Sequence, residues 1–263
     1  MADYENPTGR YGNAAAVPVA GEIDEGLRAH MLRVYNYMVT GLMITGLLAI
    51  GTFMVTTTGE PVVTSQGVMQ VGESLYLTSL GVTLYGSPLM WVLFLAPLGL
   101  VFFLSFRVHK MSVGAAQTTF WIFAAILGIS LSSIFIVYDL GSIAQVFFIT
   151  AAMFGAMSLW GYTTKRDLTG FGSFLFMGLI GLIIAMVVNV FLGSSALEFI
   201  ISIIGVLVFT GLTAYDTQKI KELYYANDDG TVAGRKAIMG ALALYLDFIN
   251  LFLMLLRLLG NRE

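Results

Sequence analysis

The fold is decided by a stretch near the C-terminal end, LYLDFINLF at residues 244–252, which is largely apolar but contains Asp247 and Asn250. A second apolar run ends in GLTAYDTQ at residues 211–218 and places Asp216 in a similar setting. An ionised carboxylate in hydrocarbon costs at least ~2.5 kcal/mol on insertion scales, so acidic residues there are rare and usually functional. The two aspartates are therefore the first candidates for a functional site.

Simple geometry predicts that the two aspartates meet. The turn signal NDDGT at residues 227–231 lies close to the midpoint between them. If the chain folds back there as an antiparallel helical hairpin, Asp216 and Asp247 come level to within about a turn. Two carboxylates at one level of a low-dielectric bundle are expected to share a proton or a cation. The alternative is a purely structural pair, capped by hydroxyls such as those of Thr213 and Thr217.

The composition predicts an integral membrane protein. The 263 residues are 57% hydrophobic and only 11% charged, with a mean hydropathy of +0.84, whereas soluble domains carry about 25% charged residues. The chain has no basic stripe, and so no nucleic-acid partner is expected. It has no cysteine, which excludes disulfides and thiolate metal sites. Because it also lacks a phosphate-binding glycine loop and a nucleophile–histidine pair, we expect neither enzymatic activity nor a cofactor.

Seven apolar segments, each near the ~20 residues that a bilayer requires, predict an all-α membrane protein folded as a seven-helix bundle. Residues 1–30 are predicted to be a flexible cytoplasmic N-terminal tail and residues 31–263 the transmembrane domain. The seventh segment is apolar nearly all round, so we expect this C-terminal helix to be central. Asp139 is interpreted as a helix N-cap, and the connection 57–87 fits either an interfacial cap or a small hairpin. The predicted spans are 32–56, 88–106, 114–138, 141–162, 171–192, 196–216 and 237–259.

The distribution of Lys and Arg predicts the orientation in the membrane. All but two of the 13 Lys and Arg residues lie in the N-terminal tail or in the connections after the second, fourth and sixth spans. The positive-inside rule therefore predicts a cytoplasmic N-terminus. The remaining two, Arg257 and Arg262, lie near the C-terminal end, which is expected outside if the seventh segment crosses the membrane. A re-entrant seventh segment would return that end to the inside, but 237–259 is long enough to cross.

The two aspartate segments also resemble a known family. Residues 210–220 and 241–260 closely resemble the transmembrane Bax-inhibitor-motif family, and weaker similarity extends back to about Arg107. The resemblance implies a seven-helix fold and a calcium leak across the membrane. It also implies that Asp216 and Asp247 form a paired-aspartate pH sensor.

Together the residues and the resemblance favour a pH-sensitive cation leak channel, with calcium ions as the transported species. Two carboxylates with nearby carbonyl or amide oxygens supply some of the ligands that Ca²⁺ prefers. Because they are too few for a tight cage, they suit transit better than storage, so we predict transient calcium binding at Asp216 and Asp247. Arg107 is either a snorkelling anchor or, as the resemblance suggests, a counter-charge that belongs to the gate.

Two further residues are candidates for the pore or for a latch. Asn250 lies three residues after Asp247 and either lines the same polar track or connects helices by hydrogen bonding. Arg257 is either a snorkelling anchor or part of an outer latch. Some relatives pair such an arginine with an acidic residue in the second span, but that span, 88–106, contains none here.

Two other interpretations stay open. In the first, the protein is a membrane interaction protein that regulates a membrane-anchored AAA protease or a stress or cell-death response, without transport. In the second, it is a presenilin-type intramembrane protease, which is disfavoured because LYLD replaces the Gly-x-Gly-Asp motif and no proline follows Pro97. The C-terminal GNRE lacks the basic tail of eukaryotic relatives, which favours a bacterial inner membrane.

Overall fold

The computed structural model describes residues 25–64, 67–72 and 75–262, and these are almost entirely helical. Within them, seven segments are long and apolar enough to cross a membrane, namely α1, α3, α4 with α5, α6, α7, α8 and α9. The prediction of an integral membrane protein with a seven-helix bundle is therefore confirmed. The helices are α1 Glu25–Thr56, α2 Ser79–Tyr85, α3 Leu89–Arg107, α4 Val113–Leu131, α5 Ile134–Val137, α6 Leu140–Thr163, α7 Thr169–Leu192, α8 Ser195–Glu222 and α9 Gly230–Leu259.

Short polar side chains define where the membrane helices begin. Ser112, Ser194 and Asp229 accept hydrogen bonds from the first free backbone N–H groups of α4, α8 and α9. Asp139 does the same for α6, accepting from the N–H of Ser142 at 3.0 Å, as the sequence predicts. Such caps satisfy donors that the first helical turn leaves without a partner.

Three helices extend beyond their predicted spans. Helix α1 begins at Glu25, so the predicted boundary between residues 30 and 31 falls inside a helix, and residues 1–24 lie outside the described part of the chain. Helix α8 continues to Glu222, and α9 begins at Gly230. The apolar run marks only the part of a helix that lies in hydrocarbon. Lys219 and Lys221 in the last turn of α8 suit the negative end of its dipole, so the helix continues past that run.

Helix α9 lies at the centre of the bundle, as predicted. In its most apolar stretch of 18 residues, 67% of the residues are buried, whereas the corresponding share is 11% in α3 and in α7. Two groups of helices enclose it: the first layer is α1, α3 and α4, and the second layer is α6, α7 and α8. The half of α9 that contains Ile238 and Leu244 packs into the core of the first layer, whereas Leu251 and Leu256 pack into the core of the second.

Glycines bring the three helices of the second layer very close together. A Cβ atom added to Gly161 of α6 would lie 2.2 Å from the carbonyl oxygen of Ala214 in α8. A Cβ atom added to Gly172 of α7 would lie 2.3 Å from the ring of Tyr215, the next residue of α8. Small residues permit such close approach of membrane helices. The second layer is therefore joined through one short segment of α8.

The connection after α1 forms a small lid over one end of the bundle. Strand β1, Thr57–Thr58, pairs antiparallel with β2, Tyr76–Leu77, and α2 follows directly. The N–H of Thr78 donates to the carbonyl oxygen of Thr56, which ties the hairpin to the end of α1. Of the two alternatives that the sequence left open, an interfacial cap or a small hairpin, the hairpin is present, and α2 follows it.

The opposite end of the bundle collects most of the Lys and Arg residues, and we call it the basic end. It contains the connections 108–112, 164–168 and 223–229 together with the start of α1. These pieces contact one another: the ring of His30 lies 5.8 Å from that of Tyr224, and the N–H of Leu168 donates to Gln218 Oε1 at 2.9 Å. The positive-inside rule predicts that this end faces the cytoplasm.

Candidate functional site

The antiparallel packing of α8 against α9 brings the two aspartates together. A Cβ atom added to Gly240 would lie 3.1 Å from Ile220, and one added to Gly205 would lie 2.7 Å from Met254. These two contacts, one on each side of the aspartates, fix the register of the helices. Asp216 and Asp247 consequently lie within about a turn of the same level, which is the arrangement that the hairpin geometry predicts.

The side chains of Asp216 and Asp247 are in hydrogen-bonding contact. Asp247 is only 5% exposed, and its Oδ2 has no donor among the described residues. Two ionised carboxylates cannot donate to each other, so a hydrogen bond between them requires a proton on one of the two. The arrangement can therefore hold a shared proton, and a cation placed between the carboxylates would satisfy the same oxygens.

A cavity of about 470 Å³ leads from the basic end to Asp216. It lies between the end of α3 and one face each of α8 and α9. Asp216 lines it, whereas Asp247 lies behind Asp216 and does not. The lining residues are Ser105, Val108, His109, Asp216, Lys219, Ile220, Leu223, Val232, Arg235, Lys236, Met239, Gly240 and Ala243.

Three cationic side chains line this cavity. Lys236 is paired with Asp228, at 2.5 Å between Nζ and Oδ2. Arg235 donates from Nη1 to the carbonyl oxygen of His109 at 2.5 Å, and Lys219 acts electrostatically on Asp216. In the described part of the chain neither Lys219 nor Arg235 forms an ion pair.

Sequence reasoning missed these cations, treating them only as markers of orientation. The signal that could have found Lys219 is its spacing: it follows Asp216 by three residues and so shares a helix face with it. Arg235 had no comparable signal, because its position on the cavity depends on how α3 and α9 pack.

Beyond Asp247 the bundle is closed. Leu251, Leu255 and Leu256 of α9 are at most 5% exposed. The rings of Phe248 and Phe252 each lie in edge contact with Phe147 of α6. This apolar packing separates the aspartate pair from the lidded end, so among the described residues the cavity opens towards the basic end.

A buried hydroxyl pair anchors α9 to the first layer next to the site. Tyr245 is fully buried, and its hydroxyl lies 2.5 Å from Thr45 Oγ1 of α1. Thr45 also bonds the carbonyl oxygen of Ala124 in α4. The Tyr245 ring stands edge-on to Phe120 and Phe123. Tyr245 lies two residues before Asp247, so this cluster fixes the rotation of α9 about its axis at the level of the site.

The hydroxyls considered as caps for the aspartates are engaged elsewhere. Thr213 donates to the carbonyl oxygen of Phe209, and Thr217 donates to that of Thr213. Thr217 Oγ1 also lies 2.9 Å from Ser158 Oγ of α6. These hydrogen bonds therefore do not satisfy Asp216 or Asp247.

The other candidate residues form no hydrogen bond or ion pair with Asp216 or Asp247 in the described part of the chain. Arg107 ends α3 and is exposed, without an ion pair in the described part of the chain. Asn250 donates to the carbonyl oxygen of Leu246, one turn earlier in α9. Arg257 is exposed near the end of α9. The structure thus does not bring Arg107 to the carboxylates in this conformation, and its gating role stays a prediction.

An ion pair that could act as a latch is present at the lidded end, but it is formed by Arg262 and not by Arg257. Arg262 Nη2 lies 3.0 Å from Oε1 of Glu198, at the start of α8, and its guanidinium lies 5.7 Å from the Tyr138 ring. The backbone of Asn261 bonds both the N–H of Asp139 and the hydroxyl of Ser142. The segment after α9 therefore ties together the starts of α6 and α8.

The described residues contain no group of three or more His, Asp or Glu side chains that could enclose a metal ion. A cation at Asp216 and Asp247 would thus have two carboxylates and otherwise backbone or water oxygens. Such a site is open rather than caged, which suits brief binding.

Comparison with known proteins places this architecture in a family. A family model described as inhibitor of apoptosis-promoting Bax1 matches residues 27–263. A protein of Rickettsia prowazekii is 47% identical over 240 residues, covering 91% of this chain and 92% of the relative. The inner membrane protein YbhL of Escherichia coli is 56% identical over 173 residues, covering 65% of this chain and 74% of the relative. An uncharacterised membrane protein of Streptococcus pyogenes is 44% identical over 164 residues, covering 62% and 71%.

Proposed function

Because the chain belongs to the family of inhibitors of apoptosis-promoting Bax1, we propose that it is a pH-sensitive cation leak channel. Calcium is the transported ion, and the Asp216–Asp247 pair is the proton-sensitive gate. The similarity to an inner membrane protein of Escherichia coli supports a bacterial inner membrane as its location. With the basic end in the cytoplasm, the open cavity faces the cytoplasm and the closed part of the bundle faces outside.

One observation carries this proposal: a buried pair of carboxyl groups closes the inner end of a cavity that is open to one side. Asp247 Oδ2 has no hydrogen-bond donor in the described part of the chain, so the pair needs a proton or a cation to be satisfied. Loss of the proton leaves two like charges in contact, which favours separation of α8 from α9 or entry of a cation. Separation of the two helices also loosens the apolar packing of α9 beyond Asp247, where the bundle is closed, and an entering cation takes the place of the proton.

The proposal requires only a modest conformational change. Two packed states that differ by a few kcal/mol suffice for a gate. Helix α9 is held to the first layer through Tyr245, and α8 is held to the second layer through the glycine contacts. The aspartates thus lie where the two layers meet, and a shift of one layer against the other changes their separation first.

Ion flux into liposomes tests the proposal. Purified protein is reconstituted, and entry of Ca²⁺, Na⁺ and K⁺ is measured separately with trapped indicators. We expect Ca²⁺ entry above that of protein-free liposomes, and we expect Asp216→Asn combined with Asp247→Asn to alter it. Asp139→Asn is the matched control, because it removes one carboxylate at a helix cap far from the pair. Flux no greater than in protein-free liposomes at acidic and neutral pH would overturn the proposal.

A second candidate function is that of an interaction protein without transport. The description of the matching family, an inhibitor of apoptosis-promoting Bax1, favours it. The membrane-anchored protease partner or stress response would then be engaged through the cytoplasmic tail and loops. Deleting residues 2–24 leaves α1 intact and separates the two functions. The interaction function predicts that this deletion abolishes the cellular effect while Asp216→Asn does not.

A further inference from the structure

We propose that the cavity at the basic end holds an anionic phospholipid, with its phosphate on Lys219 and Arg235 and an acyl chain along the apolar wall of the cavity. This site does not depend on the transport function. It follows from the charge, the depth and the shape of the cavity, each of which points to the same occupant.

The first argument is positive charge without a direct ion-pair partner. Of the three cations on the cavity, only Lys236 forms an ion pair in the described part of the chain. The ammonium of Lys219 lies 5.7 Å from the Tyr215 ring and acts on Asp216 only through space. Arg235 uses Nη1 for a backbone carbonyl, while its Nε is buried and has no hydrogen-bond partner. A buried N–H without an acceptor is costly. A phosphodiester oxygen supplies the missing acceptor and the missing negative charge together.

The second argument is that the cavity is amphipathic. Its cations lie in the outer part, and the wall further in is mostly apolar, formed by Met239 and Ala243 of α9 and by Ile220 of α8. A free phosphate would leave this wall unused. A lipid satisfies both parts, because its headgroup is anionic and its chain is apolar.

The third argument is the position of the cavity in the bundle. It lies beside the last turns of α3 and α8, where membrane helices reach the headgroup region. Ser105 of α3 lines it, and the neighbouring Phe106 is 81% exposed on the surface of the apolar helix. The cavity therefore lies next to the lipid that surrounds α3. Basic pockets between membrane helices at this depth are typical sites for anionic headgroups.

The inner part of the cavity contains Asp216, so the lipid has a direct route to the aspartate pair. A phosphate bound to Lys219 neutralises the cation that acts on Asp216. Anionic lipid content then changes the electrostatic environment of the pair without contact between the lipid phosphate and the carboxylate. This consequence is separate from the binding itself, which is what the experiment measures.

Native mass spectrometry of the full-length protein tests the site. The protein is extracted from vesicles that contain equal amounts of phosphatidylglycerol and phosphatidylcholine, and the lipid that remains bound is counted. We expect one phosphatidylglycerol per chain to remain in preference to phosphatidylcholine. Each basic side chain near the membrane surface contributes about a fivefold preference for anionic lipid. The combination Lys219→Gln with Arg235→Gln is therefore expected to reduce retention by roughly 25-fold.

The matched control is Lys165→Gln with Arg166→Gln, which removes two exposed cations from the same end but outside the cavity. We expect this variant to retain the lipid like the natural protein. Equal losses in the two variants would mean that general surface charge attracts the lipid and would overturn the proposal. Equal retention of phosphatidylglycerol and phosphatidylcholine by the natural protein would also overturn it.

A third variant keeps the test decisive if removal of both cations impairs folding. Ala243→Phe leaves every charge in place and fills the apolar wall. We expect it to lose most of the bound phosphatidylglycerol, because the chain no longer fits. Unchanged retention in this variant would place the lipid elsewhere. Displacement of the lipid by inorganic phosphate alone would show an anion site without a lipid chain, and would equally overturn the proposal.

Discussion

Replacing either aspartate of the pair by asparagine should abolish the pH dependence of calcium flux. In the natural protein, loss of the shared proton creates two adjacent like charges. Two unit charges about 4 Å apart repel by ~4 kcal/mol at an effective dielectric constant of ~20. In Asp247→Asn the amide N–H donates to Asp216 at every pH, and only one charge remains. The repulsion that changes with pH is then absent.

This repulsion sets a limit to the size of the effect. Since ~1.4 kcal/mol corresponds to a factor of ten, ~4 kcal/mol can change the ratio of open to closed channels by at most about 10³. The natural protein should therefore change its leak by up to three decades between about pH 5 and 8. Asp216→Asn and Asp247→Asn should each flatten the profile, and the double variant should add little because the two residues act as one unit.

The assay is Ca²⁺ entry into liposomes at a series of pH values, with thermal unfolding of each variant as the test of folding. Asp139→Asn is the control: asparagine caps a helix as well as aspartate does, so both fold and pH profile should be preserved. Arg107→Gln tests the predicted gating role of Arg107: a changed profile would support that role, whereas an unchanged profile is expected if Arg107, which is exposed, is only a snorkelling anchor. Lys219→Gln should shift the midpoint of the profile to higher pH, because the cation that stabilises ionised Asp216 is lost. If Asp216→Asn and Asp247→Asn both fold and both keep the pH profile of the natural protein, the aspartate pair is not the gate. The interaction function would then be favoured.

Three further outcomes are expected. In this cysteine-free chain, Val63→Cys should react with an impermeant thiol reagent from outside, whereas Ala226→Cys should react only after permeabilisation. The reverse pattern would show that the basic end faces outside. Gly161→Ala should lower the free energy of unfolding by about 1–3 kcal/mol, because the added Cβ meets a backbone oxygen. Gly155 faces open space, so Gly155→Ala should leave thermal unfolding unchanged. Equal effects of the two substitutions would contradict the close packing at Gly161. Glu198→Gln should cost at most ~1 kcal/mol, since its ion pair is largely exposed; a loss of several kcal/mol, or one insensitive to salt, would assign it a larger role.

Much of the site could be predicted because it depends on local patterns. The turn at residues 227–231 and the positions of Asp216 and Asp247 are enough to make the aspartates level, since an antiparallel helical hairpin has a fixed rise per residue. The N-cap at Asp139 could be predicted for the same reason, because a cap is decided within a few residues.

The rest depends on how distant segments pack, which local patterns do not specify. The cavity requires α3, α8 and α9 to meet at one point, so the arrangement of Lys219 and Arg235 was missed. Arg257 was considered for an outer latch because of the family resemblance, with a snorkelling anchor as the alternative. The ion pair at the lidded end is formed by Arg262 instead, since the chain turns back after α9 and its backbone pairs with Tyr138. Asn250 likewise bonds its own helix, a choice that sequence alone leaves open.

The close glycine contacts of α6 and α7 with α8 have a consequence for how the bilayer acts on the protein. Helix α8 is tightly packed against both neighbours, because a Cβ atom added to Gly161 would meet the backbone of Ala214 and one added to Gly172 would meet the ring of Tyr215. Any displacement of Asp216 from Asp247 should therefore carry α7 with it, and α7 is the most apolar of the spans and largely surrounded by lipid. A mismatch between helix and bilayer thickness costs fractions of a kcal/mol per Å. Bilayer thickness and protonation therefore both act on the separation of Asp216 from Asp247. A thinner or thicker bilayer should change the ratio of open to closed channels at constant pH.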